Sequence, residues 1–479
     1  MRILFSLVWL CCTAVLPAAE VGLETLPWTD AAWFWTADGP ALPRINTNLS
    51  GRGTISIGGV RFERGICGHT GFSVVYNLDR NAESFSARIG IEDERHPKDS
   101  GNEAEVPFAI LVDRREVFRR VMHLGEKPVP VRIDLRGKSQ LELRGEFGAK
   151  GFRLQRVAWG NPVLQTDSPE KLRAALVRSR SRHEANLAAE PVYPEAPAWT
   201  EIRIEKISWE TFRHAYRVDN GRFTLVVVPE CGGRIMEFAA VGGKSLLHRT
   251  VPPEKWRTAR GRSGDAAGGH FLRIQPSKNF HPNDPLLQHG KYRIDFPAEG
   301  VIWMSSAESS LFQVVCEYRL RIVPGSDVLE LTNTLINTAP YDRPLGTWSI
   351  TRVRSAGLKR VLLPSVREGV TVKKKIARHG NDVEWIDGVD GLELRTSIRP
   401  GTPRNYFELQ LWGAAPEIVA ETETGDRLRI TCERDDYLAR EEPPLHLFFC
   451  DRFCELESHG PTRLLYPGER ISLSEQWTP

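Results

Sequence analysis

A chain of 479 residues is longer than one hydrophobic core ordinarily supports, so two domains are expected. Its 41% hydrophobic and 26% charged residues are the composition of a globular protein, and a net charge of +3 is too small to point to nucleic acid as a partner. The 40 glycines and 32 prolines supply the turns that a β-rich fold requires.

Residues 1–19 read as an export signal. Arg2 supplies the positive start, Ile3 to Val15 the apolar run, and Pro17-Ala18-Ala19 a small-residue cleavage site. That run is too short for a membrane span and no later stretch is long enough, so a secreted or periplasmic protein is expected. Cys11 and Cys12 lie within the apolar run without the small residues that precede a lipid-anchored cysteine. Of the remaining cysteines, Cys67 falls in the front half, and Cys231, Cys316, Cys432, Cys450 and Cys454 in the back half. They are either buried small hydrophobes or include one bridge between the halves. Cys450 and Cys454 have no second spaced pair, which argues against a zinc site.

From Trp28 to Leu164 short alternating runs are separated by turns: Gly71 to Leu78, Ser84 to Ile91, Val106 to Val112, Val129 to Leu135 and Gln140 to Leu143. A hairpin turn is expected at Asp113-Arg114-Arg115-Glu116, and the whole reads as a β-sandwich spanning 20–165. The segments Arg64 to Asp79, Phe85 to Asp93, Val106 to Asp113 and Val131 to Gly137, with Trp159-Gly-Asn-Pro-Val-Leu164, resemble the NPCBM family. The resemblance implies a galactose-binding-like jelly roll that binds carbohydrate on loops at the end of the sandwich. An aromatic ring offers a flat face to a sugar, and carboxylates or amides take its hydroxyls, which makes Trp33, Trp35, His69 and Glu94 candidates. His69 also reads as a turn histidine held by backbone, and Trp159 as core. Glu92-Asp93-Glu94 reads as a solvated charge run rather than a calcium loop, and Asn48-Leu-Ser50 is a glycosylation sequon.

Residues 166–199 form a connector. Ser168-Pro169-Glu170 is a helix start, with serine as cap and proline at the first helical position, followed by an apolar stripe of Leu172, Ala175 and Leu176. Arg178, Arg180, Arg182 and His183 read as a solvated basic patch, and Pro191 to Pro197 as a stiff linker.

Residues 200–479 are again strand-rich, built around Val218 to Phe238. Asn220-Gly221 is a hairpin signal, Phe223 to Val228 suits a strand buried on both faces, and Gly232-Gly233 permits a sharp turn before alternation resumes at Ile235. Phe312 to Val323, Val328 to Asn337, Arg427 to Cys432 and Leu445 to Phe449 are further strands, so the fold class is all-β with a large two-sheet sandwich at the back. Val228-Pro-Glu-Cys-Gly-Gly-Arg-Ile235, Leu329 to Asn337 after Pro324-Gly325, Trp348-Ser-Ile-Thr351, and Cys454 to Pro461 with Pro467-Gly468-Glu469 resemble the galactose mutarotase-like superfamily, and within it the DUF4380 family.

That resemblance implies a glutamate base for the anomeric hydroxyl and a histidine acid for the ring oxygen. Leu456-Glu457 with Pro461 matches the late motif, making Glu457 the candidate base, with Glu455 on the same strand face by period two. The region where the acid belongs holds Trp348-Ser-Ile-Thr351 and no histidine. His270 in Gly268 to Arg273 is the candidate replacement, with Arg273, Arg234 and Trp348 as candidate substrate-binding residues. His281, Asp284 and His289 read as scattered loop residues rather than metal ligands, and Asp435-Asp436 or Asp451 with Glu455 as a formal glycosidase pair. Phosphate-loop, zincin and serine-elbow motifs are absent, so no cofactor is expected. Three readings remain: an exported protein binding an oligosaccharide or polysaccharide, a carbohydrate-active enzyme using Glu457 and His270, and a surface structural protein.

Overall fold

In a computed structural model of the chain the alternating runs become two pairs of packed antiparallel sheets, joined by one helix. The residues described are 18–33, 43–94, 105–148, 156–249, 267–280, 284–364, 371–377, 383–388, 391–396, 406–412, 417–432 and 443–479. The proposed export signal, except for Ala18 and Ala19, lies outside them, as do Trp35, His281, Asp435 and Asp436. Trp33 ends a strand, Asp30–Trp33. No described helix is long and apolar enough to cross a membrane.

The front pair is a six-stranded and a five-stranded sheet. The strand Arg156–Thr166 pairs with Ser84–Ile91 on one side and Gly65–His69 on the other. From it Trp159 projects into the core, fully buried, edge-on to Phe108 with ring centres 5.4 Å apart. Asp113 and Arg114 both take positive φ, 50° and 62°, as a two-residue hairpin turn requires. The turn leads into Arg115–His123, a strand the sequence did not announce. It is an edge strand in which only Phe118 and Met122 turn toward the core and the other side chains are exposed, so a sustained apolar alternation is missing where a free edge must repel other strands.

One sequence reading in the front half is corrected. Glu92 to Glu94 is not a solvated run. Glu92 is buried 3.5 Å from Arg156, Glu94 pairs with the same arginine at 2.7 Å, and Asp93 accepts from Ser56 Oγ and the amides of Gly58 and Gly59. Asn48 of the sequon is buried, its Oδ1 accepting from the amides of Arg52 and Gly53 to close a turn.

The helix Pro169–Ala188 buries Leu172, Ala175 and Leu176 as its stripe predicts. Ser168 precedes it, but its side chain makes no cap bond; its carbonyl accepts from the Leu172 amide at 3.1 Å. His183 leaves the basic patch, buried 3.8 Å from Asp30, while Arg178, Arg180 and Arg182 stay exposed.

The back pair is an eleven-stranded and a ten-stranded sheet enclosing the largest apolar core. Phe223–Val228 is buried on both faces: Leu225 and Val227 point into that core, Val226 and Val228 into a smaller cluster with Trp209 and Met236. At Asn220-Gly221 only Gly221 is left-handed. Asn220 instead accepts from the Arg222 and Phe223 amides and donates to the carbonyls of Val323 and Ser326, tying the turn to the neighbouring loop. Gly232 and Gly233 take φ of 67° and 65°, and a Cβ on Gly232 would lie 2.4 Å from the Gln288 carbonyl oxygen. The six described cysteines are unbridged, five of them buried, which bears out their reading as small hydrophobes.

The two pairs meet through a buried cluster. Glu142 lies between Arg114, 2.5 Å away, and Arg144, 2.7 Å away. Both arginines reach across to the back half, Arg144 donating to the Lys278 carbonyl at 2.7 Å and Arg114 to that of Asn279. Burial would push the Glu142 carboxyl up, but the two guanidiniums hold it below its usual range.

Candidate functional site

In the large sheet the strands His270–Gln275, Arg343–Arg354, Phe453–His459, Leu445–Cys450 and Tyr406–Trp412 lie side by side. Their registers pair Arg273 with Trp348, Trp348 with His459, Arg352 with Glu455, and Glu457 with both Ile350 and His446. Since residues directly opposite share a face, Arg273, Trp348, Arg352, Glu455, Glu457, His459 and His446 all point away from the inter-sheet core. Leu272, Ile274, Val353, Leu456 and Leu447, the alternate positions, point into it.

Glu457 is the hub. Its Oε2 accepts from Trp348 Nε1 at 2.8 Å, and lies 3.0 Å from His446 Nδ1 and 3.4 Å from His459 Nε2. The side chains of Glu457, His459 and His446 are only 2%, 4% and 14% exposed. Burial alone would raise the Glu457 carboxyl and lower His446. Their mutual charge and hydrogen bond outweigh it, holding the carboxyl well below the usual carboxylate range and lifting His446 to about 9. At neutral pH the pair is therefore carboxylate and imidazolium in a nearly dry site.

Trp348 is half-buried, with the Arg273 guanidinium 5.2 Å from its ring centre and the His459 ring at 5.3 Å. Its ring also lines a cavity of about 480 Å³. Arg273, Phe280 and Trp348 line it from the back half; Phe72, Arg144 and Phe147 line it from the front half.

Glu455, Arg273, Trp348 and Glu457 thus come together as the sequence suggests, although Glu455 is engaged by Arg352 at 2.6 Å rather than by Glu457. The two remaining candidates do not join them. His270 lies on the opposite face of its strand, fully buried between the sheets, its ring nitrogens 3.0 Å from Thr351 Oγ1 and 3.1 Å from Asn333 Oδ1. Burial pushes it down to about 4, so it is neutral at pH 7 and out of reach of any ligand on the outer face. Arg234 shares the outer side but is fully buried, donating to the carbonyls of Gly268 and Gln288 with its guanidinium 4.1 Å above Phe271; it latches loops and has no exposed atom to offer. Asp284 caps a short helix through the Leu286 amide and accepts from Ser309, a structural duty.

His446 and His459 are the residues that sequence reasoning missed. The period that groups Glu455 with Glu457 includes His459 as the next member of the series, so one signal was present. His446 lies on a neighbouring strand, and only register brings it to Glu457. One ligand atom from each of His446, Glu457 and His459 lies within 4.8 Å of the others, the donor set of a two-histidine, one-carboxylate metal site. A cation there must first displace the proton that His446 holds against Glu457.

Residues 19–165 match the NPCBM/NEW2 domain family. Among solved structures the chain is similar to CBM51 from Clostridium perfringens GH95, in complex with methyl-galactose, at 21% identity over 30% of this chain and 99% of that one, with a TM-score of 0.27. A galactose mutarotase-like protein from Lactobacillus casei shares 12% identity over 55% of this chain and 99% of its own, TM-score 0.37. Another from Clostridium acetobutylicum shares 11% over 58% and 98%, TM-score 0.35. No curated protein matches the sequence.

Proposed function

We propose that this chain is an exported glycan-recognition protein: a signal at 1–19, a carbohydrate-binding module at 20–165, a linker at 166–199, and at 200–479 a mutarotase-like sandwich of the DUF4380 type that binds an oligosaccharide or polysaccharide. The observation that carries the reading is Trp348, whose ring is held in place by the Nε1 bond to Glu457 and flanked by Arg273 at the wall of the cavity. A fixed aromatic plane stacks on the C–H face of a sugar, and a guanidinium beside it donates to the hydroxyls. Calorimetry with a panel of oligosaccharides and polysaccharides tests it: binding to at least one, lost in Trp348→Ala, is expected, and no heat with any of them defeats the reading.

A second reading, a carbohydrate-active enzyme, is favoured by the opposed charges of Glu457 and His446, 3.0 Å apart. It replaces His270 as acid by His446. Acid–base catalysis works best with groups that titrate near the working pH, whereas here the base is too acidic and the acid holds its proton too tightly. That weighs toward binding. Mass analysis of glycans incubated with the protein separates the two: a product lost in Glu457→Gln, with binding retained, decides for the enzyme.

A further inference from the structure

Three nitrogen atoms converge on one oxygen of the outer face. Glu457 Oε2 lies 2.8 Å from Trp348 Nε1, 3.0 Å from His446 Nδ1 and 3.4 Å from His459 Nε2. A carboxylate oxygen has about two lone pairs to offer, and the N–H groups of Trp348 and His446 fill them. One histidine is enough to neutralise Glu457. The second, buried within reach of the same oxygen, is surplus to an ion pair.

Sheet geometry fixes this trio. Glu457 and His459 are two apart on Phe453–His459 and share a face, and His446 lies directly opposite Glu457 on Leu445–Cys450. Both strands are paired on each side, so the donors stand on the interior of a sheet and not on loops. Donors bonded at about 2.0–2.1 Å to a tetrahedral ion lie about 3.3 Å from one another. The two nitrogen–oxygen separations, 3.0 and 3.4 Å, bracket that edge, and one ligand atom from each residue lies within 4.8 Å of the others.

The charges around the trio balance. Glu455 is matched by Arg352 at 2.6 Å, and Glu408 adds negative potential at His446. Arg273 lies two strands from His459, with Trp348 between them in register. As an ion enters, His446 releases its proton to solvent, so a divalent cation raises the local charge by one and not by two.

We infer that His446, Glu457 and His459 bind a divalent transition-metal ion, with zinc as the reference, and leave at least one coordination position for water or an oxygen of a bound ligand. Two imidazoles and a carboxylate suit zinc, cobalt or nickel, whereas calcium and magnesium take oxygen ligands. Three protein donors are the open arrangement of a site that exchanges a ligand; a structural site is closed by four. Trp348, donating to Glu457, orients the carboxylate from behind. The inference stands on these donors and not on the glycan reading.

The test uses the full chain, stripped with a chelator, then titrated with zinc in a calorimeter and with cobalt in a visible spectrometer. One zinc per chain is expected, with a Kd of about 1 μM or tighter. Cobalt should give the intense visible bands of a four- or five-coordinate ion, without the near-ultraviolet band of a thiolate ligand. His446→Ala and His459→Ala should each weaken zinc binding by about a hundredfold or more, and Trp348→Phe, which keeps a ring but loses the N–H, by about tenfold. Thermal melts confirm that each variant folds; where an alanine variant does not, His446→Gln or His459→Gln, closer in volume, replaces it. If the wild-type chain binds no zinc, if cobalt shows the thiolate band, or if both histidine variants bind zinc as well as wild type, the site falls. If zinc binds as expected while no glycan does, the metal site stands and the glycan reading falls.

Discussion

Each face of the large sheet buries a histidine and a glutamate, and the two faces handle them in opposite ways. On the inner face His270 meets the neutral Asn333, which in turn reaches Glu475, a carboxyl also bonded by Ser349 and Trp477. Burial dominates there: it pushes His270 down and Glu475 up, so both are driven toward neutrality. On the outer face His446 and Glu457 touch directly, and mutual attraction overrides a comparable burial, so both are charged. Burial alone therefore does not decide the charge state of a residue. The nearest partner does: for His270 it is a neutral amide, for His446 an opposite ionisable group.

The hardest blow to this contrast is His270→Ala. It removes a packed ring set edge-on to Trp477, and strands Asn333 Oδ1 without that partner in the core. A loss of about 4 kcal/mol in urea unfolding is expected, with glycan affinity unchanged in whatever folds; lost affinity with intact stability would put His270 back in the site.

Glu457→Gln comes next. The His446 midpoint, displaced from 6.5 to about 9, corresponds to about 3 kcal/mol at ~1.4 kcal/mol per unit. His446 is raised by folding, so its contribution is complete below pH 6.5 and is lost as pH rises through 9. Glu457 is lowered, so its contribution is complete above pH 4.5 and is lost as pH falls below that. The stability gap between wild type and Glu457→Gln should thus plateau from pH 4.5 to 6.5 and close above 9. NMR should also find the His446 midpoint in the variant back at or below 6.5; a gap that is flat with pH, or an unmoved midpoint, breaks the comparison.

Trp348→Ala is the smallest of the three in free energy. Half-buried and outside the core, the ring should cost little stability, but its loss should weaken glycan binding by about tenfold or more, roughly 1.4 kcal/mol. Unchanged affinity would remove the outer face from recognition.

Many of the strands were legible, because a strand repeats every two residues and turns carry their own chemistry. Ser84–Ile91, Arg427–Cys432, the Asp113-Arg114 hairpin and the buried Trp159 follow from such local signals. The strand Arg115–His123 escaped because an exposed edge has no apolar face to alternate. Asp93 looked like a solvated residue, yet it accepts several hydrogen bonds from chain that folds back over it.

The sequence by itself determined that Glu455 and Glu457 share a face, since that depends only on the pleat of one strand. Tertiary structure decided which face it is, and placed His270 on the other. It also brought His446 to Glu457 through strand register and set the front half against Trp348 to enclose a cavity. These are contacts between residues distant along the chain, and no local period encodes them; the closing of two sheets over a shared core does.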